Sequence, residues 1–163
     1  MPEPLRAMVT RLVSAPAHQV YSILSDYRTG HPRILPRGID RLIVEQGGRG
    51  AGTVIRFRVK SFGAVKSVRA SIDEPEPGRV LRERVLDDSA AVTTFTVDPA
   101  EGGSWVTIET VWRRRGARAL VERLLGPRLL ERAYAEELDN LERVAVEQGR
   151  GVSARTPDGL GVP

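Results

Sequence analysis

The sequence predicts an α+β fold in which one long C-terminal helix covers one face of a curved antiparallel sheet. Three observations carry this expectation. From Ile39 to Trp112 apolar positions recur with a period of two in six successive segments. The connections between them are mostly short and polar, which joins neighbours as hairpins. From about Ala117 to Gln148 the period changes to that of a helix, and one helix is all that remains to bury a sheet face.

The elements follow in order. Leu5, Ala7, Val9, Arg11 and Val13 share one phase of a first strand. Ser14 is suited to a helix N-cap and Pro16 to a first turn, after which Val20, Ile23, Leu24 and Tyr27 mark one face of an amphipathic helix. Gly30 and Pro32 end it, and one or two short helices are expected before the next strand. This corner, SDYRTGHPRILPRG (Ser25 to Gly38), gathers Asp26, Tyr27, His31, Arg28, Arg33 and Arg37. It reads either as a small active site or as a structural joint.

Six strands come next. IDRLIVEQ and TVIRFRVK flank the glycine-rich turn GGRGAG, and the second sets Ile55, Phe57 and Val59 against Arg56, Arg58 and Lys60. AVKSVRASI places Val68, Ala70 and Ile72 in one phase, with Lys66 inward or near the rim, and DEPEPG turns the chain. RVLRERVL, VTTFTVDP and SWVTIETVW complete the set. In the C-terminal segment Leu130, Tyr134, Leu138, Leu141 and Ala145 form a stripe. Gly126-Pro127 predicts a short helix, a break or kink, then a helix of about 33 Å starting near Pro127. The expected organisation is one domain over residues 1–148 and a disordered tail over 149–163.

Composition narrows the function. The chain has 163 residues and no cysteine, which excludes disulfides and thiolate chemistry. Its two histidines, His18 and His31, lie far apart in sequence, so no metal site is expected. No apolar run reaches the roughly 18–20 residues of a membrane span, and the N-terminus has no secretory pattern. The expected compartment is the cytoplasm. A net charge of +4 and a pI of about 10.1 suggest nucleic acid, but the 25 bases, all arginine except Lys60 and Lys66, are interleaved with 21 acids. That interleaving argues against a nucleic-acid partner.

VSAPAHQVYSILSDY, HPRILP, GAGTVIRFRV, DEPEPGRVLRERV, TTFTVDP with SWVTIETVW, and the leucine-periodic helix occur here in one order. In that combination the chain resembles the START-like superfamily, also called the polyketide-cyclase/dehydrase and lipid-transport superfamily, from about Leu5 to Glu147. The resemblance implies a helix-grip fold: a seven-stranded antiparallel sheet around the C-terminal helix, with two short helices closing one end. It implies a cavity for an apolar or amphipathic small molecule, and it makes the Ser25–Gly38 corner the joint between the short helices, with Asp26 satisfying free amides in the turn.

Within that frame Phe57, Val59, Val68, Phe95, Ile108, Trp112, Tyr134 and Leu138 are expected to line the cavity. His31, Arg82, Arg84 and Thr110 are candidate polar groups in it. His31 suits a general base, or else a loop histidine bonded to backbone. In RVLRERVL the phase is open: Val80, Arg82, Arg84 and Leu86 oppose Leu81, Glu83 and Val85. The first set inward brings two arginines suited to a carboxylate or enolate; the second brings Glu83 as a lone acid. GGRGAG lacks a following helix and so lacks phosphate-loop logic, and WRRRGAR reads as a solvated strand exit.

The leading function is binding or carriage of a hydrophobic small molecule of the lipid, polyketide or isoprenoid class, without cofactor, by a monomer or homodimer. A cyclase, aromatase or dehydratase using the same cavity is the alternative and requires an inward ionisable group with a perturbed pKa. A ribosome- or RNA-associated module is the third and requires a contiguous basic patch.

Overall fold

A computed structural model of the protein describes residues 3–61, 63–87, 89–113 and 119–154, with the side chains of Ser61 and of 119–125 left aside. The strands are β1 (Leu5–Val13), β2 (Ile39–Gln46), β3 (Val54–Ser61), β4 (Ala64–Glu76), β5 (Val80–Val85), β6 (Val92–Ala100) and β7 (Gly103–Trp112). The helices are α1 (Ala17–Ser25), a single 3₁₀ turn at His31–Arg33, and α2 (Ala119–Ser153).

All seven strands form one antiparallel sheet in the order β1-β7-β6-β5-β4-β3-β2. Five hairpins run from β2 to β7, and β1 then adds to the β7 edge. Bulges bend the sheet: the β4–β5 register slips between Asp73 and Glu76, and β2 slips between Asp40 and Ile43, where Arg41 takes a φ of 51°. The curved inner face packs on α1 and α2. Leu24, Ile55, Leu81, Ile108, Leu141 and Val144, each at most 1% exposed, mark the core between them.

Three expectations change in detail. α2 is unbroken through Pro127. A proline removes one hydrogen bond from a helix interior, and this helix of 35 residues continues through that position. It also runs to Ser153, so Gly149–Ser153 are helical and not tail; residues 155–163 lie outside the described part. The second short helix is only the 3₁₀ turn, since Pro32 offers no amide and Pro36 follows closely. Of WRRRGAR, residues 114–118 likewise lie outside the described part.

The outer face of the sheet holds the arginine-rich phase of the strands. Arg58 donates twice to Asp40 at 2.7 and 3.0 Å, and Arg56 and Arg69 share Glu45. Such exposed pairs contribute at most about 1 kcal/mol each; the core decides stability. Leu141→Ala should therefore cost about 2–5 kcal/mol, whereas Leu129→Ala, on the exposed side of α2 at 43%, should stay within about 0.5 kcal/mol. Chemical denaturation of the two variants checks the assignment of the buried helix face.

Candidate functional site

The site begins where α1 ends. The last carbonyls of a helix lack amide partners within it, and here Gly50 N–H serves Ser25 and the His31 ring serves Leu24. Asp26 accepts from the backbone N–H groups of Arg28 and Thr29, both at 3.0 Å, as expected of it. Burial pushes its carboxyl up, but those donors, the Thr29 hydroxyl and Arg49 outweigh that and hold it below the usual carboxylate range. Nδ1 of His31 lies 2.8 Å from the carbonyl oxygen of Leu24. A carbonyl only accepts, so Nδ1 carries a proton, and in the neutral ring the lone pair is on Nε2. Gly30 makes the approach possible: a Cβ there would lie 2.5 Å from the carbonyl oxygen of Ile23.

This bond turns the imidazole into the core. His31 is 3% exposed, stacked on Tyr27 with ring centroids 4.6 Å apart, and edge-on to Phe95 at 5.6 Å. Its Nε2 faces two carboxyl groups, Oε1 of Glu83 at 3.7 Å and Oε1 of Glu137 at 3.8 Å. The Tyr27 hydroxyl donates to the same Glu83 oxygen at 2.7 Å.

Strand register extends this into a belt. Glu83 of β5 stands opposite Thr93 of β6, and Thr93 opposite Thr110 of β7. All three face inward, because a period of two carries them with Leu81, Phe95 and Ile108, which are buried. The Thr93 and Thr110 hydroxyls bond at 2.7 Å, and Thr110 also bonds the hydroxyl of Tyr134 on α2. Glu137 lies three residues further along α2, on the same face.

Glu137 is the outlier of the belt. It is 4% exposed, and among the described residues its carboxyl has no hydrogen-bond partner. Burial, and secondarily the nearby Glu83 charge, raise its pKa well above the usual value and favour its protonated form. Burial also raises Tyr27, with Glu83 adding to it, so this hydroxyl stays a donor. No lysine or arginine is buried among the described residues. Nor do those residues contain a group of three or more histidine and acidic side chains placed to hold a metal ion.

The residues proposed from sequence fall into three groups. Phe95, Ile108, Trp112, Tyr134, Leu138, Thr110 and His31 are buried on the inner side. Phe57, Val59 and Val68 share the inward phase but are half-buried, near the β3–β4 hairpin. Arg82 and Arg84 are not in the interior. They project from the outer face and share Asp73 of β4 at 2.9 and 3.0 Å. The open phase of β5 thus resolves as Leu81, Glu83 and Val85 inward, which leaves the guanidinium groups hydrated and paired. Lys66 lies exposed at the rim and pairs with Asp87, and His18 is exposed. Sequence reasoning missed Glu137 altogether, although Tyr134, Glu137, Leu141 and Val144 repeat at three and four.

An antiparallel sheet of seven strands gripping one long helix, with polar groups on its inner row, defines a helix-grip protein. The chain belongs to the polyketide cyclase/dehydrase and lipid transport family, whose model matches residues 4–146. The KanY protein, solved by NMR, is similar with a TM-score of 0.77 and 31% identity, over 89% of this chain and 99% of that one. The ZhuI aromatase/cyclase from Streptomyces sp. R1128 matches with a TM-score of 0.74 and 17% identity, over 96% of this chain and 99% of its own. Ara h 8.0201 matches with a TM-score of 0.65 and 13% identity, over 88% and 99%. The last two likenesses show the fold alone. A search of curated protein sequences gives no match. Among the described residues no helix is long and apolar enough to cross a membrane.

The raised Glu137 carboxyl makes stability depend on pH. It binds its proton more tightly folded than unfolded, so its contribution is whole below the ordinary carboxylate pKa and drains as pH rises toward the folded value. The melting temperature should fall as pH rises above the ordinary carboxylate range, and Glu137→Gln, which keeps the shape without the ionisation, should flatten that fall. Equal slopes for the two proteins would overturn the assignment.

Proposed function

We propose that the chain binds an apolar small molecule of the lipid, polyketide or isoprenoid class between the sheet and α2. The ligand's polar group then meets the belt formed by Tyr27, His31, Glu83, Thr110, Tyr134 and Glu137. The family's description supports a ligand of this kind. One observation carries the reading: polar groups without a partner stand inside an apolar shell. Neither the Glu137 carboxyl nor Nε2 of His31 has a hydrogen bond among the described residues. Yet no side-chain nitrogen or oxygen there is both sealed off and unpartnered. The two groups therefore still border water-sized space, and a buried polar group left alone costs about 1–3 kcal/mol. A ligand bearing a complementary group removes that cost while its apolar body contributes about 25 cal/mol per Å² buried.

A groove of about 650 Å³ between the start of α1 and the end of α2 is a poorer candidate. It lies outside the sheet–helix interior, and Arg150 is its one charged group. The outer arginines Arg56, Arg58, Arg69, Arg82 and Arg84 each pair with an acid, which counts against a nucleic-acid surface on that face.

A second reading, proton transfer of the cyclase or dehydratase kind, has its own supporting observation. Burial favours the protonated form of Glu137, whose carboxyl lies 3.8 Å from an imidazole nitrogen. An acid and a base facing one space can add a proton to a carbonyl oxygen and take one from the neighbouring carbon.

Native mass spectrometry of the purified protein, with an organic extract of the same sample and a Nile red titration, tests binding. A bound apolar species, or saturable dye fluorescence near one site per chain, is the expected result. A bare mass, an empty extract and unsaturable fluorescence together would sink the proposal. Proton transfer is tested by NMR of deuterium exchange at the carbon between the carbonyls of an apolar β-diketone. Exchange should be faster with the wild type than with His31→Gln; equal rates leave binding alone.

A further inference from the structure

We propose that the interior site selects an apolar ligand whose polar end is a primary ammonium group, held by Glu83, Glu137 and Nε2 of His31. The inference rests on the binding reading above and specifies the chemistry of the ligand's head. Its basis is a count of donors and acceptors in the interior.

Nδ1 of His31 is committed to the Leu24 carbonyl at 2.8 Å, so the neutral ring offers only an acceptor to the space beyond it. Facing that nitrogen are oxygens of two carboxyl groups, at 3.7 and 3.8 Å. These separations are too long for direct hydrogen bonds, and a nitrogen placed off the line between them, about 2.9 Å from each acceptor, would bond all three. An ammonium group carries three N–H donors and no acceptor. It matches the trio in number, and a positive charge beside the two carboxyl groups favours their ionised forms. Glu137 accepts through its carbonyl oxygen.

Other head groups fit less well. A ligand carboxylate or phosphate would enter an interior where the described residues offer two acids and no buried lysine or arginine. Like charges at such spacing in a low-dielectric interior repel strongly. A hydroxyl brings one donor and no charge to set against the two carboxyl groups. The acidic pair alone would be thin ground. The independent observation is His31, 3% exposed, with an unpartnered Nε2 aimed into the same space. A helix end fixes its orientation, and the acids play no part in that.

The test compares dodecylamine, dodecanol and dodecanoate, each below its micelle concentration, by displacement of Nile red from the full chain near neutral pH. Dodecylammonium should bind at least about tenfold more tightly than dodecanol, equivalent to about 1.4 kcal/mol, with dodecanoate weakest. Glu137→Gln and Glu83→Gln should each bring the amine within about threefold of the alcohol. Circular dichroism confirms that each variant is folded, and either one suffices for the comparison.

Dodecanol or dodecanoate binding as tightly as the amine overturns the ammonium inference but leaves the interior as a binding site. An amine preference that survives both substitutions also overturns it, because the cation then binds surface acids. Failure of all three to displace the dye, or a dye that never binds, removes the binding reading and this inference with it.

Discussion

A sheet with one helix to cover its inner face has no second layer in which to hide a mistake. Every inward position from β1 to β7 must be apolar, satisfied by a neighbour in the same row, or reached by a side chain of α1 or α2. Val13, Ile55, Leu81, Val106 and Ile108 meet the first condition. Thr93 and Thr110 meet the second, bonding each other at 2.7 Å. Glu83 is reached instead from just past the end of α1, by the Tyr27 hydroxyl at 2.7 Å. α2 lies along the concave side of the bent sheet, and its own inward face must obey the same rule. Glu137 does not, and the functional reading starts from that exception.

The corner between α1 and β2 joins structure to chemistry. A loop histidine and a cavity base look like alternatives at the level of sequence, but in the fold they are one residue seen from its two nitrogens. Nδ1 closes the end of α1 by donating to Leu24. That bond sets the ring so that Nε2 addresses Glu83 and Glu137. Stacking on Tyr27 removes the remaining freedom of the ring. Such an orientation rests on backbone and packing, so it exists before any ligand arrives, and binding need not bear the cost of ordering it.

The fold was largely legible because alternation and helical period are local properties, repeated in six strands and a long amphipathic segment. The site was less so, for reasons that differ by residue. In β5 both phases mix apolar with charged residues: Leu81, Glu83 and Val85 against Val80, Arg82 and Arg84. What decides between them is the partner strand. Thr93 and Phe95 of β6 face inward and draw Glu83 and Leu81 with them, a non-local fact that a six-residue window does not contain. Glu137 was hidden by the stripe itself. Spacings of three and four from Tyr134 admit both Glu137 and Leu138, and a reading that seeks apolar residues takes the leucine. A charged residue at a stripe position was the available clue. The reduced second helix was legible in principle from Pro32 and Pro36, which leave too few amides for an α-helical turn.

Charge is divided between the two faces of the sheet, and this division explains how an acid can remain inside at all. Outside, arginines meet aspartates and glutamates in water, where pairing adds little and costs little. Inside, no arginine among the described residues reaches Glu137, and burial shifts its carboxyl toward the protonated form. Glu83, part of the same cluster, is steadied by a tyrosine hydroxyl. The interior therefore holds one acid with a donor and one without, set against an imidazole whose proton is committed elsewhere. A fold selected for stability alone would do better with leucine at position 137, since a protonated carboxyl in an apolar shell gives up packing and gains no hydrogen bond. What the carboxyl does provide is a group whose charge state can answer to whatever occupies the space beside it.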